Sequence, residues 1–286
     1  MLKSLSPPQN RFLRGAYLLG RRYLRHQVAT QSAALAFYLL FTFFPLLIFI
    51  SALLGLLQLD VAAILRGLEE FLPREVVDLA EVYLTYVGAN PSPRLMLFGL
   101  FFSVYFPMRA TNALMHAVRT AYHLGPPQGV VLHRLKTLLY TVLLMVTVAL
   151  TMTLMTVGER LLTYAVERFG LPTLAAELWT LLRFPAITVV GYFALFFLYA
   201  LAQDSRQPWR NIWPGTLAAL AAWVGVSWLY ALYVDRIANY SVLYGSIGTV
   251  IVLLVWLNLS AAILILGAEF NGTLINLRKE RQETGR

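Results

Sequence analysis

Six long apolar runs, each nearly free of charge and fenced by Arg and Lys, restrict this 286-residue chain to a fold solvated by lipid. The last run, Ser246 to Ala268, contains no ionisable side chain. At about 1.5 Å of rise per residue, a helix of that size crosses a hydrocarbon core roughly 30 Å thick. The other runs are Ser32 to Leu57, Leu95 to Val118, Thr137 to Gly158, Phe184 to Gln203 and Asn211 to Val234. Arg109 and His116 interrupt the second, but Leu95 to Met108 alone is too short to cross, so the helix must carry polar groups to membrane depth or its edge.

The expected fold is therefore an all-α membrane protein: six transmembrane helices, an N-terminal amphipathic interfacial helix and short helices in the first extracytoplasmic loop. Residues 1–31 form a basic cytoplasmic arm, and 32–271 the transmembrane domain. Its spans run at about 32–57, 95–118, 137–158, 184–203, 211–234 and 246–270, with a helical loop at 60–94, and 272–286 form a basic tail. Composition agrees, since 59% of residues are hydrophobic and 13% charged, against roughly 25% charged in soluble domains. The absence of Cys excludes disulfides, thiolate metal sites and a cysteine nucleophile.

Orientation follows from Lys and Arg in alternate connections, because basic loops resist translocation. Lys3, Arg11, Arg14, Arg21, Arg22 and Arg25 precede the first span, Arg119, Arg134 and Lys136 fall in the second loop, and Arg206 and Arg210 in the fourth. Arg278, Lys279, Arg281 and Arg286 form the tail. The opposite connections mix Arg66, Arg74, Arg94, Arg160, Arg168, Arg183 and Arg236 with acids such as Glu69, Glu75, Glu159 and Glu167. Both termini are expected in the cytoplasm. The formal charge of +9 is thereby explained by span ends and anionic headgroups, and nucleic acid is not an expected partner.

In the arm, Phe12, Ala16, Leu19 and Tyr23 share one helical face and Arg14, Arg21 and Arg25 the other, a pattern suited to the membrane surface or to a solvated arm that fixes topology. Between the first two spans, Val61, Ile64, Leu65 and Leu68, then Val76, Ala80, Tyr83 and Leu84, predict two short helices separated by Pro73. Pro45 inside the first span predicts a kink, while Pro185 and Pro214 are read at helix starts, where proline costs least. Gly215, Ala218, Ala222 and Gly225 predict a seam of small residues for close helix approach. Trp179, Trp209, Trp213, Tyr240 and Tyr244 fall at span ends as interfacial anchors.

Several segments together resemble the BrkB/YihY family of bacterial inner-membrane proteins, formerly labelled ribonuclease BN. The first is Ala33-Ala34-Leu35-Ala36-Phe37-Tyr38 through Phe43-Phe44-Pro45-Leu46-Leu47, and the second Trp213-Pro214-Gly215 followed by Trp223. The most specific is Tyr244-Gly245-Ser246-Ile247-Gly248, continuing through Trp256 to Leu266-Gly267-Ala268-Glu269-Phe270-Asn271. Val118-Arg119-Thr120-Ala121-Tyr122 departs from the Leu-Asn pattern usual before that Tyr. The resemblance implies a six-helix inner-membrane protein, with Tyr38, Pro45, Pro214, Gly215, Tyr244, Gly245, Gly248, Trp256 and Gly267 as its structural motif residues.

No catalytic constellation accompanies these motifs. His26, His116, His123 and His133 are scattered, without the spacing of a metal site, and most acids lie on the outer face, so ribonuclease chemistry is not expected. No Gly-Lys-Ser/Thr phosphate loop is present, and neither a cofactor nor a metal is expected.

What remains is polar content at membrane depth, which is costly and usually faces a cavity or a partner. Arg109, Asn112 and His116 follow i, i+3, i+7 spacing on one face, Asn258 falls near the middle of the last span, and Glu269 near its inner end. These five residues are the candidate polar cavity. Arg109 and Glu269 share the cytoplasmic half, where they would form a salt bridge or anion vestibule, or else snorkel and cap separately. The leading expectation is a transporter-like or lipid-handling protein with membrane lipids, an unknown solute or an envelope protein as partner. The alternative is a non-transporting scaffold for envelope assembly, and the oligomeric state is open.

Overall fold

The computed structural model describes residues 11–57, 77–78, 81–82, 92–125, 129–147, 174–203, 208–236 and 246–284. Among these the chain is helical, with no strand. Helix α1 spans Arg11–Arg25, α2 Val28–Leu57, α3 Pro93–Ala121, α4 Val130–Thr147, α5 Leu174–Leu201, α6 Trp213–Arg236 and α7 Ser246–Thr284. A short 3-10 turn, Trp209–Asn211, leads into α6. Most of the loop at 60–94, the expected end of the third span beyond Thr147, and Tyr244 and Gly245 lie outside the described residues.

Among the described residues, four stretches are long and apolar enough to cross a membrane: Val28–Leu46, Val130–Thr147, Trp209–Val234 and Ile247–Glu280, with Pro185–Leu201 a shorter apolar one. The outward faces of the helices carry large apolar side chains, including Leu97, Phe98 and Phe101 on α3, Val131, Leu135 and Leu139 on α4, and Trp228 and Leu229 on α6. So large an exposed apolar surface suits lipid and not water.

Helix α7 is the central element, packed against α6, α2, α3 and α1, while α2 and α3 pack closely together and α5 leans on α6. The core runs through Leu35, Leu114, Met115, Val118, Leu198, Tyr199, Ala261, Ile265 and Ala268. Pro45 lies inside α2, where it removes a backbone donor. Gly99 of α3 lies against the same stretch: a Cβ there would stand 3.0 Å from the Pro45 carbonyl oxygen and 2.7 Å from the Phe49 amide nitrogen. The proline thus marks a place where two backbones approach with no side chain between them.

Pro214 is the second residue of α6, as read from the sequence. Pro185 is not at a helix start, because α5 begins at Leu174 and the proline falls inside it. The stretch Leu174–Leu182 is rich in Leu and Ala, strong helix formers that extend the helix upstream of the apolar run.

The seam between α6 and α7 is also rotated from the expected one. Ala218, Ala222 and Gly225 are exposed, whereas Gly215, Thr216 and Ala219 are buried. Beyond them the seam continues through aromatic residues: Trp223 Nε1 donates to Ser260 Oγ at 3.0 Å, Trp256 Nε1 to Ser227 Oγ at 3.4 Å, and the Tyr230 hydroxyl to the Val252 carbonyl at 2.8 Å. An indole N–H or phenol O–H has no partner in acyl chains, so these groups turn the helix toward its neighbour.

Candidate functional site

The main buried polar cluster among the described residues sits where α1 meets the C-terminal half of α7. Glu269 and Asn271 are fully buried. Glu269 lies 23 residues into α7, about 35 Å along its axis and therefore beyond one hydrocarbon thickness. Helix α1 brings Arg22 to it from the side, and the turn that follows α1 brings His26. Arg22 Nη1 donates to Glu269 Oε2 at 3.0 Å and to the Ala121 carbonyl at 3.0 Å, and His26 Nδ1 lies 2.5 Å from Glu269 Oε1. The other guanidinium nitrogen, Nη2, lies 2.5 Å from His123 Nε2.

Local backbone geometry explains how His123 reaches this point. Helix α3 closes with the Leu124 amide donating to the Arg119 carbonyl at 2.9 Å and the His123 amide to the Thr120 carbonyl at 3.1 Å. This six-to-one and five-to-two pair requires a left-handed residue, and His123, at φ 56°, occupies the place glycine usually takes. Gln27, at φ 50°, makes the corresponding break between α1 and α2. Arg119 is buried beside the turn and ties it down, donating to the Ala202 carbonyl at 3.0 Å and the Gly125 carbonyl at 2.6 Å. At Gly272 a Cβ would collide with the Ala121 carbonyl and the Arg22 guanidinium, so the close crossing of α3 and α7 needs glycine there.

A second polar node sits beside the first. Asn271 Oδ1 accepts from the Gly215 amide at 2.6 Å, and its Nδ2 donates to the Ile212 carbonyl at 2.7 Å. One turn earlier, a Cβ at Gly267 would lie 2.6 Å from the Tyr199 hydroxyl and 2.8 Å from the Gly215 carbonyl. The Tyr199 hydroxyl donates to the Leu264 carbonyl. Burial pushes the Tyr122 phenol up, above the ordinary tyrosine range.

The residues singled out in the sequence are not brought to one point. Arg109 is exposed on α3, with Nη2 donating to the Tyr38 hydroxyl at 3.1 Å and the guanidinium 5.3 Å from the Tyr38 ring centre. Asn112 is exposed and its Oδ1 lies 2.9 Å from His133 Nε2 of α4. His116 is exposed on the same helix face. Asn258 is half-buried in α7, and its Oδ1 finds no hydrogen-bond partner among the described residues. Glu269 is engaged by Arg22 and His26, whereas Arg109 is held by Tyr38. Arg22, His26 and His123 are the site residues that sequence spacing did not reveal; the one clue was an isolated Glu in the closing motif, which demands a buried cation.

Electrostatics make the first cluster a charge-matched latch for α1. Burial pulls the Arg22 guanidinium below its usual range, and the Glu269 carboxylate opposes that pull. His123 is likewise held below the ordinary imidazole value, first by burial and then by Arg22, His26, Arg25 and Lys279 around it. A depressed folded-state value means that, below about 6.5, the undocked chain binds a proton that the docked chain does not, so stability falls as pH falls through that window. Melting temperatures of detergent-purified protein should therefore drop between pH 7.5 and 5.5, and His123→Gln should reduce the drop. An identical pH profile in that variant would contradict the assignment.

The comparisons with known proteins agree with the helical, lipid-facing architecture. The family described as Virulence factor BrkB matches residues 19–286. The ribonuclease-like protein YfkH of Bacillus subtilis is 30% identical over 258 residues, covering 90% of this chain and 94% of that protein. A UPF0761 membrane protein of Pseudoalteromonas translucida is 31% identical over 105 residues, 37% of this chain and 34% of its own length. The UPF0761 membrane protein YihY of Salmonella paratyphi B is 28% identical over 94 residues, 33% and 32% of the two chains. No solved structure matches. With nearly the whole length matched, the closing motif built into the α6–α7 seam and an apolar outer surface, this chain belongs to the BrkB family of membrane proteins.

Proposed function

We propose that this protein crosses the bacterial inner membrane six times, with both termini in the cytoplasm, and handles a lipid or polar solute along the face shared by α2, α3 and α4. The observation that carries this reading is Arg109. It lies 12 residues before the end of α3, about 18 Å from that end, and is exposed there beside Tyr38, with Asn112, His116 and His133 continuing the polar row toward the cytoplasm. A guanidinium facing acyl chains at that depth is costly, and such groups face a ligand path or aqueous groove by preference. The row offers successive donors to a headgroup or solute part-way across.

An even number of crossings and a shared side for the two ends are supported by α1 and the end of α7 lying together, with Arg14 Nη2 2.7 Å from Glu280 Oε2, since only an even number returns the chain to its starting face. The basic residues of that face favour the cytoplasm.

Vesicles containing the purified protein should scramble a fluorescent phospholipid, or release a trapped solute, faster than empty vesicles. Arg109→Leu should fold normally, because the side chain is exposed, yet slow the rate by about tenfold, the worth of one charge-assisted hydrogen bond. Rates equal to those of empty vesicles across a broad lipid and solute panel would refute the reading.

Ribonuclease chemistry, suggested by the name of the Bacillus relative, is disfavoured by the arrangement of side chains. Among the described residues no three His, Asp or Glu converge as metal ligands, and the His26–Glu269 pair is engaged with Arg22. The scaffold reading draws support from the docked basic helix α1, and predicts co-purifying envelope proteins with no flux.

A further inference from the structure

Beyond the polar face of α3, a separate cleft opens at the cytoplasmic end of the bundle. It lies between the turn that closes α3, the Trp209–Asn211 turn and the C-terminal extension of α7, and has a volume of about 450 Å³. Its polar lining comes from His123, Asn211, Asn276, Arg278, Lys279 and Gln282, and no Asp or Glu lines it. Arg278 is not a loose surface side chain: its Nη1 donates to Asn211 Oδ1 at 2.8 Å and to the Arg210 carbonyl at 3.2 Å, fixing the guanidinium at the rim. Of the nearby acids, Glu269 is engaged by Arg22 and His26 and Glu280 by Arg14, while Glu283, one turn beyond Lys279, is outside the lining. The lining thus holds two cations and no acid.

The level of the cleft in the membrane is set by two further observations. Gly272 in its wall lies 26 residues into α7, about 39 Å along the axis and so past the hydrocarbon core. Trp209 and Trp213 stand exposed beside it, 77% and 47% accessible, as indole anchors do at the headgroup layer. We propose that this cleft binds a phosphate-bearing anion, with Arg278 and Lys279 as its cationic contacts and Asn276 and Gln282 as neutral donors. The same chemistry is presented by an anionic phospholipid headgroup and by a soluble phosphate. The site is remote from Arg109, so its failure would leave the reading of the α3 face untouched.

Native mass spectrometry of the detergent-purified full chain tests this, with phosphatidylglycerol, inorganic phosphate and phosphatidylcholine as probes. The wild type should retain phosphatidylglycerol, inorganic phosphate or both in preference to phosphatidylcholine. Arg278→Gln with Lys279→Gln should weaken retention by about fivefold for each charge removed, in keeping with the worth of a basic residue at an anionic surface. Arg134→Gln with Lys136→Gln, which removes equal charge from the same membrane face, should leave retention unchanged. Retention of phosphatidylglycerol alone identifies a lipid site, and displacement of it by inorganic phosphate identifies a site for the free anion as well. The proposal is overturned if neither probe is retained preferentially, or if the two double variants lose retention equally. Should the site variant melt abnormally, Lys279→Gln alone, on an exposed side chain, carries the same comparison.

Discussion

Glu269→Leu should be among the most damaging single substitutions in this protein, lowering stability by about 3–5 kcal/mol, the usual cost of leaving a buried cation without its partner. The reason lies in the asymmetry of the latch. Glu269 faces two groups, with Arg22 Nη1 at 3.0 Å from one carboxylate oxygen and His26 Nδ1 at 2.5 Å from the other. Removing the carboxylate strands the Arg22 guanidinium among the Ala121 carbonyl, His123 and apolar neighbours, where burial already disfavours its charge. Removing Arg22 instead leaves the Glu269 carboxylate with one remaining polar partner, His26 Nδ1. Arg22→Met should therefore cost markedly less than Glu269→Leu, and combining the two should cost less than their sum. Thermal unfolding in detergent measures this, with a shift on the order of 10 °C expected for Glu269→Leu. Because Arg22 lies on α1, limited proteolysis should also show that helix released in the Glu269 variant. A melting temperature within 2 °C or so of the wild type would overturn the latch.

How much of this architecture was legible in the chain depends on the range of the interactions involved. Spans follow from runs of apolar residues, and α2, α6 and α7 lie where those runs placed them. Within the closing motif from Leu266 to Asn271, Gly267, Glu269 and Asn271 all make close or buried contacts. Partners were a different matter. Arg22 and Glu269 are separated by 247 positions and Arg22 and His123 by 101, and no helical or motif spacing encodes such a pairing. Arg22 was visible only as one more basic residue of the arm. The α6 seam was misjudged because small residues were weighed as the means of close approach, whereas the hydrogen-bonding needs of Trp223 and Tyr230 in a lipid solvent select the neighbouring face. Pro185 misled for a related reason: a proline ahead of an apolar run reads as a start signal, but the helix formers upstream of it continue the helix through that position.

Asn271→Leu carries the second large effect, about 2–4 kcal/mol, although the two side chains share the same branched heavy-atom skeleton. Helix α6 starts with Trp213 and Pro214, and the amide of Gly215 is one of the first-turn donors that no carbonyl of its own helix can satisfy. Ordinarily a Ser, Thr or Asp just before the helix would accept it; here that place holds Ile212, and the acceptor comes from another helix as Asn271 Oδ1 at 2.6 Å. Leucine would leave that donor buried and unpaired. The Ile212 carbonyl would lose the Nδ2 donor but keep the Thr216 hydroxyl at 2.9 Å, so the larger part of the loss belongs to the Gly215 amide. Asn271→Asp makes the diagnostic comparison. It retains an acceptor at a helix N-terminus, where negative charge is favoured, while setting one carboxylate oxygen against the Ile212 carbonyl, so its loss should fall between wild type and Leu. Gly215→Ala would strike the same contact from the other side, since a Cβ there would collide with the Asn271 side chain and the Gly267 carbonyl. The two substitutions should be strongly non-additive, because each opens the seam that the other needs closed. Simple additivity of their melting shifts, or a Leu variant as stable as the wild type, would mean that the Gly215 amide finds another partner and that α6 does not depend on α7 for its cap.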